Sequence, residues 1–182
     1  LALKGETFNG NAFAAQSLAQ GCRYAVVDEP QYASPENPRI LLVENCLQTL
    51  QQLANYHRRK LGTRMVGVTG TNGKTTTTSL TGQMFRDAGR KNYVVGNIGI
   101  PYTAYALDAT PEHTMVTEIS SYQLQCIEQF HPRVAALLNI TPDHLDRHGG
   151  MDGYIEAKRR IFMNQTTDDF AVLNYDDPTV RA

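Results

Sequence analysis

The stretch Met65–Leu80, MVGVTGTNGKTTTTSL, runs from apolar residues into glycines, then a lysine, then four consecutive threonines. The apolar part reads as a strand, and the threonine-rich part reads as the start of a helix. Glycines in the turn between them let backbone N–H groups close on phosphate oxygens, and the helix N-terminus adds its partial positive charge. Lys74 is placed to reach terminal phosphates, and the Thr75 hydroxyl suits a magnesium ion. A nucleotide-phosphate loop is therefore expected over Gly70, Thr71, Asn72, Gly73, Lys74, Thr75 and Thr76. Thr76–Thr78 are assigned mainly to the first helical turn. The general pattern places a glycine five residues before Gly73, where this chain has Val68; Gly67 and Gly70 supply the flexibility at shifted positions.

From this loop onward one theme repeats. Apolar runs end in polar or glycine-rich turns: YVVGNIG from Tyr93, TMVTEISS from Thr114, VAALLNITPDH from Val134 and FAVLNYDD from Phe170. Helical material separates most of them, as in TTTTSLTGQMFRDAG from Thr75 and MDGYIEAKRRIFMN from Met151. Continuous apolar strands alternating with helices predict an α/β fold with a mostly parallel sheet. Ligands in such sheets gather at the carboxyl ends of the strands, so the polar ends of these runs belong on one rim.

The first part of the chain carries a different pattern. A helix is expected over NGNAFAAQSLAQG, with Asn9 or Asn11 as its cap and Gly21 ending it. Short strands come next in YAVVDE and RILLVEN, joined by a Pro-rich connector from Pro30 to Pro38. CLQTLQQLANYHRRKLG then reads as a helix ending in basic residues and Gly62. A boundary near Gly62–Arg64 gives two domains, 1–64 and 65–182, the first a small α/β substrate domain.

Composition narrows the function class. With 41% hydrophobic and 19% charged residues among 182, the chain is globular. Its 17 Lys+Arg against 18 Asp+Glu argue against a nucleic-acid binder that relies on a strong positive field. Cys22, Cys46 and Cys126 form no CxxC pair, which fits a reducing, cytoplasmic compartment. No apolar run approaches the roughly 20 residues of a membrane-spanning helix, so no membrane insertion is expected. Starting at Leu1 and stopping at Ala182, the chain reads as part of a longer protein.

Phosphoryl chemistry needs metal ligands at neighbouring strand ends. Glu118, closing TMVTE, is one candidate; without the phosphate loop it would be an ordinary solvated carboxylate. His144, in NITPDHLDRH, is another, and Asp143, Asp146 and His148 share its neighbourhood, so spacing does not choose among them. Tyr154, Ile155, Ile161 and Phe162 read as a core stripe. By itself Lys158, in EAKRR, reads as a solvated helix lysine.

Taken together, GVTGTNGKTTT, GNIGIP, EISSYQL, LNITPDHLDRH and YIEAKRRIF resemble, in this order, the ATP-dependent Mur ligases of peptidoglycan synthesis. Residues 65–182 are similar to the D-glutamate-adding branch of that family. Residues 1–64, through KGETFNG and TLQQLANYHRRKLG, are similar to the D-alanyl-D-alanine-adding branch. The chain thus reads as a mosaic, joined in or near GTNGKTTT.

The resemblance implies a reaction. ATP phosphorylates a substrate carboxylate, and the amine of an amino acid or dipeptide displaces phosphate to form an amide on a UDP-N-acetylmuramoyl precursor. It implies that Lys74 holds the ATP phosphates, that Thr75 and Glu118 hold one Mg2+, and that His144 and Lys158 serve a second. It implies carbamylation of Lys158 by CO2, which needs an unprotonated amine. Asn97, Ser120 and Gln123 match positions that contact the nucleotide-sugar substrate. Family members also carry a C-terminal domain, absent after Ala182. A nucleotide-binding module without turnover is a second reading. A P-loop kinase or GTPase is a third, and no guanine-reading NKxD segment occurs.

Overall fold

The computed structural model describes residues 1–105 and 107–182. They divide into two units, Leu1–His57 and Arg58–Ala182.

In the first unit the expected helix is split. Asn9 accepts a hydrogen bond from the Asn11 backbone N–H at 3.0 Å, starting a 3-10 turn, Gly10–Phe13, that leads into α1 (Ala14–Ala19). Asn9 is therefore the cap, while Asn11 is buried and donates to Asp28 at 2.9 Å. Strands β1 (Ala25–Val27) and β2 (Ile40–Leu42) pair in parallel, with a 3-10 turn, Pro30–Tyr32, inside the Pro-rich connector. Their core is small: Ala2, Ala14, Leu18, Ala25, Val27 and Cys46. Asp28 binds its surroundings together, accepting from the Cys46 backbone N–H at 3.0 Å and pairing with Lys4 at 3.1 Å. Helix α2 (Cys46–Leu61) begins at that Cys46.

The second unit is a parallel α/β sheet, as the alternation of apolar runs and helices predicts. Strands β3 (Arg64–Thr69), β4 (Asn92–Gly96), β5 (Thr114–Glu118), β6 (Val134–Leu137) and β7 (Phe170–Leu173) run in the order β4-β5-β3-β6-β7. All five residues of β5 are buried, which is why TMVTE reads as a continuous run rather than an alternating one. Burial of Val68, Val95, Met115, Val116 and Ala135 fills the centre of the sheet. The edge strand β7 is exposed at all four residues.

The helices are α3 (Lys74–Asp87), α4 (Ser121–Gln125), α5 (Leu145–His148), α6 (Met151–Arg159) and α7 (Pro178–Arg181). The short α4 begins at Ser121, the last residue of the apolar run that starts at Thr114. Its start is a capping box, in which the Ser120 hydroxyl accepts from the Gln123 N–H and the Gln123 side chain accepts from the Ser120 N–H. Along α6 the buried face is Tyr154, Ala157 and Lys158, continued by Ile161. Ile155 and Phe162, expected in that stripe, are half-buried.

Central β3 lies between β5 and β6, so the chain reverses its direction of winding there. Such a switch point opens a crevice beyond the carboxyl ends of the strands. The Gly70–Thr75 segment leads directly from β3 into it.

Candidate functional site

The loop expected to hold phosphate is built by the residues immediately after β3. Thr69 is fully buried, and its hydroxyl donates to the Ile119 carbonyl at 2.9 Å, tying the end of β3 to the end of β5. Gly73 stands at the N-cap of α3 in the left-handed region (φ 76), with no side chain capping the helix. The first-turn N–H groups of α3 are thus left to an external acceptor, the arrangement that favours an anion. Thr78 donates back to the Lys74 carbonyl at 2.7 Å, so this threonine serves the helix. Thr76 is exposed.

The far side of the loop rests on residues after β6 whose role the sequence pattern does not identify. Asn139 accepts from the Asn72 N–H at 2.8 Å and donates to the Asn72 carbonyl at 3.1 Å. The Asn139 carbonyl accepts from the Thr71 N–H at 3.0 Å. Thr71 Oγ1 donates to the Thr141 carbonyl at 3.1 Å and accepts from the Thr141 N–H at 3.0 Å. With its one proton so used, Thr71 accepts from the Tyr154 hydroxyl at 3.1 Å. Tyr154 therefore has a polar task in addition to its place in the core stripe. The available signal was the polar end, LNIT, of an apolar run.

Glu118 and its neighbours form the second part of the site. The carboxylate is 2% exposed, not the solvated strand end that its sequence surroundings suggest. It accepts from the Thr75 hydroxyl at 2.7 Å and from Asn97 Nδ2 at 2.9 Å. Among the described residues no lysine, arginine or histidine pairs with it. A buried carboxylate with only neutral donors is costly unless a cation completes it. This donor set, one carboxylate beside one hydroxyl, fits a hard divalent ion such as Mg2+.

Lys158 departs furthest from its reading in isolation: it is 1% exposed. Its ammonium donates to the Gly70 carbonyl at 2.7 Å and lies 4.6 Å from the Tyr154 ring centre. Burial, reinforced by the nearby Lys74 charge, pulls its pKa down to about 8, against a smaller opposing effect of Asp143. At pH 7.5 roughly a quarter of such an amine is unprotonated. Lys74 donates to the Gly70 and Thr71 carbonyls at 2.9 and 2.8 Å.

The remaining candidates are distributed unevenly. His144 is exposed, in the left-handed region (φ 50), with Nε2 3.5 Å from Asp143. It makes no hydrogen bond or ion pair to Lys158 or Glu118 among the described residues. Asp146 is exposed in the first turn of α5. His148 is buried and bonded to Ser121 and Gln125. Ser120 and Gln123 engage each other in the α4 cap, on the rim that carries Glu118 and Asn97. No cluster of three or more His, Cys, Asp or Glu side chains with metal-binding spacing occurs among the described residues. No helix among them is long and apolar enough to cross a membrane.

Comparison with known proteins identifies the family. The family model of the Mur ligase middle domain matches residues 68–182. A UDP-N-acetylmuramoylalanine–D-glutamate ligase of Alkaliphilus metalliredigens is 58% identical over 118 residues, covering 65% of this chain and 26% of the relative. The enzyme of the same name from Clostridioides difficile is 58% identical over 117 residues, covering 64% of this chain and 26% of the relative. The chain thus spans about a quarter of the length of these curated relatives.

Among solved structures, the MurF ligase of Thermotoga maritima, in complex with ADP, superposes with a TM-score of 0.77 at 27% identity over 99% of this chain and 43% of that one. MurF of Acinetobacter baumannii gives 0.74 at 28% identity over 98% of this chain and 41% of that one. Sequence likeness to D-glutamate ligases over part of the chain, with a MurF-like fold over nearly all of it, is the mosaic expected from the motifs. The family model of the Mur ligase middle domain covers more than half of the chain, including the glycine-rich turn after the central strand and the buried Glu118 beside Thr75, and it places this protein in the Mur ligase family.

Proposed function

We propose that this chain is the nucleotide-binding part of an ATP-dependent amide ligase of peptidoglycan precursor synthesis, acting in the cytoplasm and adding D-glutamate to a UDP-N-acetylmuramoyl substrate. The observation that carries the reading is the buried Glu118 carboxylate, bonded to the phosphate-loop hydroxyl of Thr75 and lacking a cationic partner among the described residues. The names of the curated relatives favour D-glutamate as the incoming amino acid. D-alanyl-D-alanine addition is the alternative, favoured by the MurF fold likeness over 99% of the chain.

In this reading the loop N–H groups from Gly70 to Thr76 and the Lys74 ammonium bind and orient the ATP phosphates. Thr75 and Glu118 hold one Mg2+. His144 and Lys158 serve a second, for which Lys158 is carbamylated. A carbamate converts a buried ammonium into a carboxylate-like ligand, and the lowered pKa of Lys158 favours the unprotonated amine this requires. When bound, the ions neutralise phosphate charge. Asn97, Ser120 and Gln123 face the UDP-sugar substrate.

A substrate carboxylate oxygen attacks the γ-phosphorus and ADP leaves, giving an acyl phosphate. The amine of the amino acid then attacks the acyl carbon; phosphate leaves with the C–O electron pair, and the amine loses a proton. The test is ATP-dependent phosphate release with UDP-N-acetylmuramoyl-L-alanine and D-glutamate, against a UDP-muramoyl tripeptide with D-alanyl-D-alanine. Release with the first pair alone is expected. Release with the second pair alone would transfer the assignment to the D-alanyl-D-alanine branch. Mg-ATP binding without release from either would leave a nucleotide-binding module without turnover.

A further inference from the structure

His148 lies outside the chemistry assigned above, yet it is only 8% exposed and fully engaged. Its Nε2 is 3.0 Å from Ser121 Oγ, and its Nδ1 is 3.0 Å from Gln125 Nε2. An amide N–H can only donate, so Nδ1 accepts and Nε2 carries the proton that goes to Ser121. Burial lowers the imidazole's proton affinity, in keeping with this neutral form. Both polar contacts are to α4.

The ring meets two aromatic side chains, one from each neighbouring helix. Tyr122 of α4 stacks at 5.4 Å and 26°, and Tyr154 of α6 tilts against it at 5.1 Å. Each tyrosine in turn carries one of the residues proposed for the second ion. His144 lies 5.2 Å from Tyr122, and the Lys158 ammonium sits 4.6 Å over Tyr154. Tyr154 also donates to Thr71 of the phosphate loop. The backbone is drawn in as well: a Cβ on Gly153 would lie within 1.9 Å of the His148 carbonyl oxygen, so α5 and α6 approach here as only glycine permits.

We propose that His148 is a positioning residue that sets the spacing between His144 and Lys158, through its ring contacts with Tyr122 and Tyr154. The inference rests on the ligase reading above. His148 touches neither phosphate nor metal ion. It acts by holding α4 and α6 at one separation while its own helix, α5, starts at His144. Glu118 and Thr75 bond each other directly and do not depend on this ring. His148 thus controls the second ion position and leaves the first alone.

The test is Mn2+ titration of the chain saturated with ATP, monitored by electron paramagnetic resonance, on wild type, His148→Phe and His148→Gln. Phenylalanine keeps the ring and removes both hydrogen bonds, while glutamine restores a donor toward Ser121. Two Mn2+ positions are expected in the wild type. His148→Phe is expected to weaken one by about tenfold or more and leave the other within about twofold, with His148→Gln between them. Equal weakening of both positions would reveal a merely structural role and overturn the proposal. So would wild-type affinities in His148→Phe or, if that variant does not fold, in His148→Gln. A wild type that binds Mn2+ only once with ATP overturns the inference while leaving the phosphate loop intact. A wild type that binds neither ATP nor Mn2+ overturns the ligase reading too.

Discussion

Lys74 and Lys158 donate to one and the same acceptor, the Gly70 carbonyl oxygen, at 2.9 and 2.7 Å. Two ammonium groups on a single oxygen repel, and one of them is buried. That combination lowers the pKa of Lys158 to about 8. A lysine whose pKa falls on folding destabilises the native chain while both states are protonated, below pH 8. The penalty is relieved as pH rises from 8 toward 10.5, where only the unfolded chain still binds the proton. Lys158→Met is therefore expected to exceed wild-type stability at pH 7 by roughly 1–3 kcal/mol, and to lose that advantage by about pH 10. Denaturant titrations in CO2-depleted buffer with EDTA measure this, and a variant less stable than wild type at pH 7 contradicts it.

Glu118→Gln keeps the shape of the side chain and removes its charge. Because no cation offsets the buried carboxylate among the described residues, the thermal midpoint should hold or rise. The Mg2+-dependent part of ATP affinity should fall by about tenfold or more, and affinity measured in EDTA should change little. Calorimetry with and without Mg2+ separates the two.

Gly96 tests the backbone beneath Asn97. It is in the left-handed region (φ 100), and a Cβ there would stand 2.2 Å from the Glu118 carbonyl oxygen. That same oxygen accepts from the Asn97 N–H at 2.9 Å. Gly96→Ala must move β4 from β5 or break this contact, so a loss of roughly 2–4 kcal/mol is expected in chemical denaturation. A loss below about 0.5 kcal/mol would mean that the crowding is relieved elsewhere.

Much of this was legible in the sequence, because local chemistry and global fold agree in it. A helix start at Lys74, continuous burial in TMVTE and the carboxyl-end rim all arise from periodicity and turn residues. Lys158 did not, for a physical reason: burial of a lysine depends on partners far away in sequence, here Gly70. Its position still carried a signal, since Tyr154, Ala157, Lys158 and Ile161 share one helical face, and a lysine inside such a stripe is out of place. Helix α4 was missed because five residues show too little periodicity, although Ser120 and Gln123 have capping-box spacing. The split at Phe13–Ala14 reflects Asn11, whose side chain turns inward to Asp28 instead of capping a helix.

Asp28 makes an acid-side prediction for the first unit. The Cys46 N–H and Asn11 amide, with Lys4, lower its pKa from 3.8 to about 2. A carboxylate depressed on folding contributes stability that is present above pH 3.8 and lost as pH falls toward 2. The Cys46 amide resonance should titrate near pH 2 in the wild type and lose that transition in Asp28→Asn. A midpoint at 3.8 would show that these donors do not hold the carboxylate in solution.

The central claim is that Gly70–Thr76 cradles the phosphates of ATP, with Lys74 reaching the terminal ones. Isothermal calorimetry of the chain with Mg-ATP, wild type beside Lys74→Ala, tests it most directly. One saturable site in the wild type, weakened by roughly 10- to 100-fold in Lys74→Ala at unchanged thermal stability, is the predicted result. No Mg-ATP affinity in the wild type, or equal affinity in both proteins, would contradict it.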